Sequence, residues 1–531
     1  MKKIFASLFL LLSLFSVSHS QVRNIDVVQY SFRIEVLDRS DSIYGKAGIR
    51  FILLTDSSSV SIDLRQRSGR VGFTVAGVTV GNRAVAFKQK NDQVITNLKG
   101  LAKKGSTVDM EITYSGIPAD GLIISKNKFG KRTFFSDNWP NRAHEWIPCV
   151  DNPADKSPVE FTVISPDHYQ VISNGVLVSR TALEPKRVIS TWKEVVPLPT
   201  KIMVVGIAEF ATQQSGVVDS IPVSTWVFPE NRDKGFKVYS IAPSILRWLI
   251  DYIGPFSYKK LAHVQSRTIF GGMENAGAIF YDETMVDGHG EKNESLIAHE
   301  TAHQFFGDMV TEKNFADLWL SEGFATYFSL LYLESKYGSD SVATALQADR
   351  ERIIDYSHEK KTPVIDSSRA YMQLLGINSY EKGAWVLHML RRSLGDSLFR
   401  KSIREYYRAY AGKNANTGDL RAIFEQVSGR SLDSFFHQWL FQTGQPDLQI
   451  RWRYNESSSN ITIDIEQLQK ADFTFPIEFM IGTIDHKKEI VRLDVTSRNQ
   501  TFTLPVTSVP VELTADPNVS LLFSQKILHG Q

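Results

Sequence analysis

The stretch LIAHETAHQFFGD, residues 296–308, sets two histidines four apart around a glutamate in apolar surroundings, in a chain with only 12 histidines among 531 residues. On a helix, residues i and i+4 share a face one turn apart, so His299 and His303 can offer ring nitrogens to one ion. Zinc binds imidazole nitrogen at about 2.0–2.1 Å, and a catalytic zinc commonly takes three protein ligands and a water. The third ligand is expected from LWLSEGFATYF, where Glu322 follows His303 after 18 intervening residues, at the start of the next apolar helical run. Glu300 neighbours the first histidine but leaves the helix in another direction, which suits a general base toward a zinc-activated water. Zinc lowers the pKa of its water to about 7, so a nearby carboxylate can take that proton and deliver it to a leaving amine, as peptide hydrolysis requires. The competing reading is two core histidines hydrogen-bonded within a buried helix, and a carboxylate on the next helix weighs against it.

These side chains need elements to hold them. Helical apolar spacing begins near residue 235, in SILRWLIDYIG, SLIAHETAHQFFGD, FATYFSLLYLESKYG, GAWVLHMLRRSLG and LRAIFEQVSG, several ending at a glycine. Before it, residues 27–210 alternate apolar and polar residues, as in YSFRIEV, VGFTVAGVTVG and STVDMEITYSG, which predicts a large, mostly antiparallel β domain. After WLFQTGQPDLQ the two-residue period returns in IRWRY, ITIDI, VRLDV and TFTLPV, which predicts a small closing β domain. About three to four domains fit this length.

Composition excludes several roles. A hydrophobic content of 42% and a charged content of 22% are ordinary for a folded globular protein. A net charge of +2 supplies no field that would draw nucleic acid, which is not expected as a partner. The opening MKKIFASLFLLLSLFSVSHSQ has two lysines, a mostly apolar run of 14 residues from Ile4 to Val17, and small residues Ser18 and Ser20 before Gln21. That is the layout of a cleaved secretory signal over 1–20, and the run is shorter than the about 20 apolar residues that span a bilayer. An exported chain, periplasmic or secreted, is expected, with no stable membrane insertion after cleavage. The sole cysteine, Cys149, allows no internal disulfide.

HETAHQFFGDMV and WLSEGFATYF at this spacing, preceded by GGMENAGAIFY and followed by YEKGAWVLHML, resemble the aminopeptidase N and leukotriene-A hydrolase family of zinc metallopeptidases, over nearly the whole mature chain. The resemblance implies a multidomain α+β fold: an N-terminal antiparallel β saddle over 21–211, a thermolysin-like, mainly α catalytic domain over 212–445, and a small C-terminal β-sandwich over 446–531. It implies one Zn2+ per chain on His299, His303 and Glu322, with Glu300 and Tyr380 catalytic and peptides with a free N-terminus as substrates. By the same resemblance Glu274 anchors the α-ammonium, which has a pKa of about 7.7–8.0 and is mostly charged at neutral pH. Gly271 and Gly272 would let backbone approach the substrate, and Met273 and Asn275 of the same stretch are further candidate contacts. Tyr380 would direct its phenol at the oxyanion formed at the attacked carbonyl.

Three positions depart from the family pattern. Ser321 stands before the metal glutamate where Asn is common, and Ser329 replaces a glutamate often found seven residues after it, so ligand orientation is expected to differ. Trp139 stands where relatives often place Gln or Glu near the substrate amine, either packing a core or walling the pocket for the first side chain. Two other functions stay open at this level: a lipid epoxide hydrolase, as in one branch of the family whose C-terminal domain is helical, and a catalytically inactive binding relative.

Overall fold

The structure is a computed structural model that describes residues 24–287 and 291–529. The leader expected over 1–20 lies outside the described residues. Strand Ile25–Leu37 buries Ile25, Val27, Tyr30, Phe32, Ile34 and Val36. It pairs with Ser40–Leu53 inside an eight-stranded sheet whose other members include Thr107–Ile117, Gly72–Val80, Lys156–Pro166 and Arg187–Pro199. One pair departs from the expected antiparallel pattern, because Ile25–Leu37 and Lys156–Pro166 run parallel. The chain reaches the second of these only after a long excursion, so no hairpin dictates its direction.

A four-stranded antiparallel sheet, Gln170–Ser173, Val205–Ala208, Arg132–Ser136 and Leu122–Lys126 in spatial order, carries the segment that leads to Trp139. Next comes a five-stranded sheet in the order Ala211–Val218, Ile221–Val227, Leu261–Ser266, Ala278–Asp282, Gly272–Met273. Its last three strands fall where helical character was expected. Leu261–Ser266 is buried throughout and Ala278–Asp282 is buried but for Asp282, and the two pair in parallel. Both strands are covered on both faces: residues 278–281 are a continuous apolar run and Leu261–Ser266 buries His263, Gln265 and Ser266 as well, so neither shows a buried face alternating with an exposed one.

Helices of ten or more residues are numbered in chain order: α1 Ala242–Tyr252, α2 Glu291–His303, α3 Trp319–Tyr337, α4 Ser339–Glu359, α5 Gly383–Leu394, α6 Asp396–Tyr410 and α7 Thr417–Ser428. Helix α7 ends as its sequence predicts, on Gly429 in the left-handed region with φ 68°. No helix among the described residues is long and apolar enough to cross a membrane. The C-terminal strands form a four-stranded sheet and a three-stranded sheet, whose buried residues include Ile450, Ile463, Ile477 and Phe479.

One apolar cluster runs without interruption from Ile25 through α2 and α3 to Phe523. Polar ties fix the seams. Lys156 Nζ donates to the carbonyls of Asp308 and Met309, at 3.0 Å each, beyond the end of α2. On the other side, half-buried Arg350 of α4 pairs with buried Asp516. His388 Nε2 lies 2.8 Å from the Val519 carbonyl.

Candidate active site

Helices α2 and α3 bring three donors to one point. His299 Nε2 and His303 Nε2 stand 3.0 Å apart, and Glu322 Oε2 lies 3.5 Å from the first and 3.2 Å from the second. Donors about 2.0–2.1 Å from a tetrahedral ion stand about 3.3 Å from one another, so this triangle fits zinc. Glu322 Oε2 is buried with no hydrogen-bond donor, and it converges with the two facing imidazole nitrogens as a group that could hold one cation. The His303 ring is held from behind: its Nδ1 lies 3.2 Å from the Phe306 carbonyl and 3.1 Å from Ser321 Oγ. A proton on Nδ1 donated to these acceptors leaves Nε2 bare for a metal. Ser321 thus supplies an oxygen acceptor behind the ring. Burial pushes the Glu322 carboxyl up, but His303 and His299 outweigh it and hold the group ionised.

Glu300, one residue past His299, is buried and reaches strand Gly272–Met273 at the edge of the five-stranded sheet. There the carboxyl fills the space a side chain at residue 272 would take: a Cβ built on Gly272 would lie 2.3 Å from Glu300 Oε1. Burial pushes Glu300 well above the ordinary carboxylate range, against the pull of His303. Glu274 follows that strand, 5% exposed, and its Oε1 has no hydrogen-bond partner. Burial raises its pKa, while His303 and the buried ammonium of Lys201 draw it back. Gln304, on the turn after α2, fixes this segment by donating to the Glu274 carbonyl at 2.5 Å and accepting from Gly277 N–H at 2.7 Å.

Tyr380 sits on a single π-helical turn, Asn378–Lys382, just before α5. Its ring lies parallel to that of His299, with centroids 6.0 Å apart and 9° between planes. A close approach of backbones sets this position, since a Cβ on Gly323 would lie 2.8 Å from Gly383 Cα, beside Glu322 on one helix and Tyr380 before the other. Burial and the nearby Glu322 carboxylate both raise the phenol pKa, so Tyr380 keeps its proton to donate.

Ten of the eleven residues singled out in the sequence line one cavity of about 570 Å³: Trp139, Gly271, Gly272, Met273, Glu274, His299, Glu300, His303, Glu322 and Tyr380. Asn275 is buried but does not line it. Trp139 is 2% exposed and packed edge-on against Phe270 and Phe315, and it also lines the cavity. Leu296, Leu330, Ala345, Asp349 and Arg352, which were not singled out in the sequence, also line it. Asp349 had a legible signal, because Val342, Leu346, Asp349 and Ile353 form the buried stripe of α4 and an acid interrupts it.

Two family models match most of the chain. The Peptidase M1 N-terminal domain matches residues 27–202 and the Peptidase family M1 domain matches residues 239–439. "Probable aminopeptidase 2" of Sulfurisphaera tokodaii is 27% identical over 511 residues, covering 91% of this chain and 63% of the relative. Glutamyl aminopeptidase of Rattus norvegicus is 26% identical over 480 residues, covering 85% of this chain and 50% of the relative. Aminopeptidase M1-C of Oryza sativa is 30% identical over 329 residues, covering 58% of this chain and 37% of the relative. The chain spans between about a third and two thirds of the length of these relatives.

Proposed function

This chain belongs to peptidase family M1, and from that premise we propose that it is a zinc-dependent aminopeptidase, removing the first residue of peptides that carry a free amino terminus. His299, His303 and Glu322 would hold the ion. Bound there, zinc would lower the pKa of a water to about 7 and polarise the scissile carbonyl.

The chain's own groups do the rest. Glu274 accepts the α-ammonium, so the first peptide bond rather than an internal one comes to rest beside Glu300. Among the described residues, strand Gly272–Met273 is the edge of its sheet, where substrate backbone can add as a further strand. Glu300, released from water by burial, takes a proton from the attacking water and returns it to the departing amine. Tyr380 donates its O–H to the carbonyl oxygen as negative charge grows there.

The observation that carries this reading is the buried Glu274 carboxylate, with an unpartnered oxygen, in the same cavity as three convergent metal donors. A buried acid without a partner is costly, and a substrate cation supplies what it lacks. With a leader over 1–20 the enzyme is exported, its β, catalytic and closing β domains taken as 21–211, 212–445 and 446–531. The test is Glu300→Gln. Zinc content should stay at one per chain while hydrolysis of unblocked peptides falls by at least about 10²-fold. N-acetylated peptides should resist the wild type, and a chelator should abolish its activity. Turnover near wild type in Glu300→Gln would sink the mechanism.

A further inference from the structure

We propose that Asp349 gives the enzyme a preference for peptides whose second residue, the one following the scissile bond, has a basic side chain. This rests on the aminopeptidase reading, which fixes the substrate amine at Glu274.

The direction of the substrate follows from the edge strand. Glu274 lies at the level of Gln304, which donates to its carbonyl. Gly271 lies about two turns back along α2, where a Cβ on it would come 3.9 Å from Leu296 Cδ2. A peptide anchored at Glu274 and laid along this strand therefore passes its second residue toward Leu296. The start of α2 meets the end of α3, since Lys336 and Tyr337 both bond Glu294. Leu296 lines the cavity together with Thr326, Ser329 and Leu330 of α3 and with Ala345 and Asp349 of α4.

That recess has an apolar throat and an acidic wall. Leu296, Leu330 and Ala345 can cover the methylenes of a lysine or arginine, whose charged tip seeks a polar partner. Asp349 is 7% exposed and interrupts the apolar stripe of α4. Its partner is Arg352, whose side chain is 58% exposed and which also pairs with Glu381 at 3.0 Å. A substrate cation can take the place of Arg352 at Asp349 while Arg352 keeps Glu381 as its counter-ion, so neither carboxylate loses a cation. Among the described residues, Arg352 is also the one arginine or lysine lining the cavity.

The test compares Ala-Lys-Ala, Ala-Leu-Ala and Ala-Glu-Ala as substrates of the zinc-loaded full chain. The expected order of kcat/KM is Lys, then Leu, then Glu, with Lys over Leu by about tenfold, the value of one well-placed charge pair. In Asp349→Asn the Lys/Leu ratio should fall toward one. In Arg352→Ala, which frees Asp349, the ratio should rise, and this variant serves if Asp349→Asn does not fold. Calorimetry of the same peptides on Glu300→Gln protein should give the same order in Kd. A Lys/Leu ratio near one in the wild type, or a ratio unmoved by either substitution, overturns the assignment. Alanine 4-nitroanilide has no second residue, so its chelator-sensitive hydrolysis reports on the aminopeptidase reading alone. Failure there defeats that reading, whereas hydrolysis with a flat second-residue panel defeats only the role of Asp349.

Discussion

Gly272 and Glu300 occupy one another's space: a Cβ at residue 272 would fall 2.3 Å from Glu300 Oε1 and 2.5 Å from Glu300 Cδ. The atoms in conflict are the far end of a flexible side chain, so Gly272→Ala can be absorbed by moving the carboxyl. That carboxyl is the proposed base, and a displacement of about 1 Å can cost about 10²-fold in rate. Gly272→Ala should therefore keep its zinc and unfold within about 1 kcal/mol of the wild type while kcat drops about 10²-fold. Metal analysis, urea unfolding and steady-state rates on one preparation decide it, and an unimpaired kcat would show that Glu300 works from another position.

Glu274 is expected to act on binding more than on chemistry. Glu274→Ala removes the acceptor for the ammonium, and losing a charge-assisted contact is worth about 1.5–3 kcal/mol, or about 10- to 10²-fold. KM for free-amine substrates should rise by that factor, and the discrimination against N-acetyl peptides should shrink with it. An unchanged ratio between free and acetylated substrates would remove the anchor role.

The zinc helix was legible because its chemistry is local: His299, Glu300 and His303 lie within one turn, and Glu322 opens the next helical run of the sequence. Elements with a clear period, such as Ile25–Leu37 and α7, were legible for the same reason. Strands Leu261–Ser266 and Ala278–Asp282 were not, because both of their faces are covered and the alternation that marks a strand is lost. The far wall of the cavity was hidden differently. The spacing of α4 marks Asp349 as a buried acid, but Asp349 and Arg352 join the site because α3 and α4 fold back on each other, and that contact has no signature in spacing.

Ser321 tests how much the shell behind a ligand contributes. Its Oγ is 3.1 Å from His303 Nδ1, which has the Phe306 carbonyl as a second partner at 3.2 Å. Losing an outer-shell partner commonly weakens metal affinity by about 10- to 10²-fold. With one acceptor remaining, Ser321→Ala should sit at the lower end, about tenfold, read by competition with a chromogenic chelator. Unaltered affinity would mean that the carbonyl alone orients the ring.

A pH dependence of stability should arise far from the active site, at His144. Its Nδ1 lies 2.7 Å from Asp151 Oδ2, and Asp151 is itself held by Thr200 Oγ at 2.8 Å. Glu145 Oε1 stands 3.6 Å from the other ring nitrogen, with Arg65 3.8 Å from the same carboxylate. Burial opposes a charge on the ring, but the hydrogen bond and charge of Asp151, with Glu145 and Asp63 behind it, outweigh that and raise the pKa to about 9 from 6.5. The folded state thus holds the proton more tightly than the unfolded chain does. The resulting stability is complete below about pH 6.5 and drains away as pH climbs toward about 9, by up to about 3 kcal/mol at 1.36 kcal/mol per unit. His144→Asn keeps a donor toward Asp151 and removes the titration. Urea unfolding of both proteins at pH 6, 7.5 and 9 should show the wild type ahead at the lowest pH and the gap closing by the highest, whereas a gap constant across the series would mean that His144 is not charged in the folded protein.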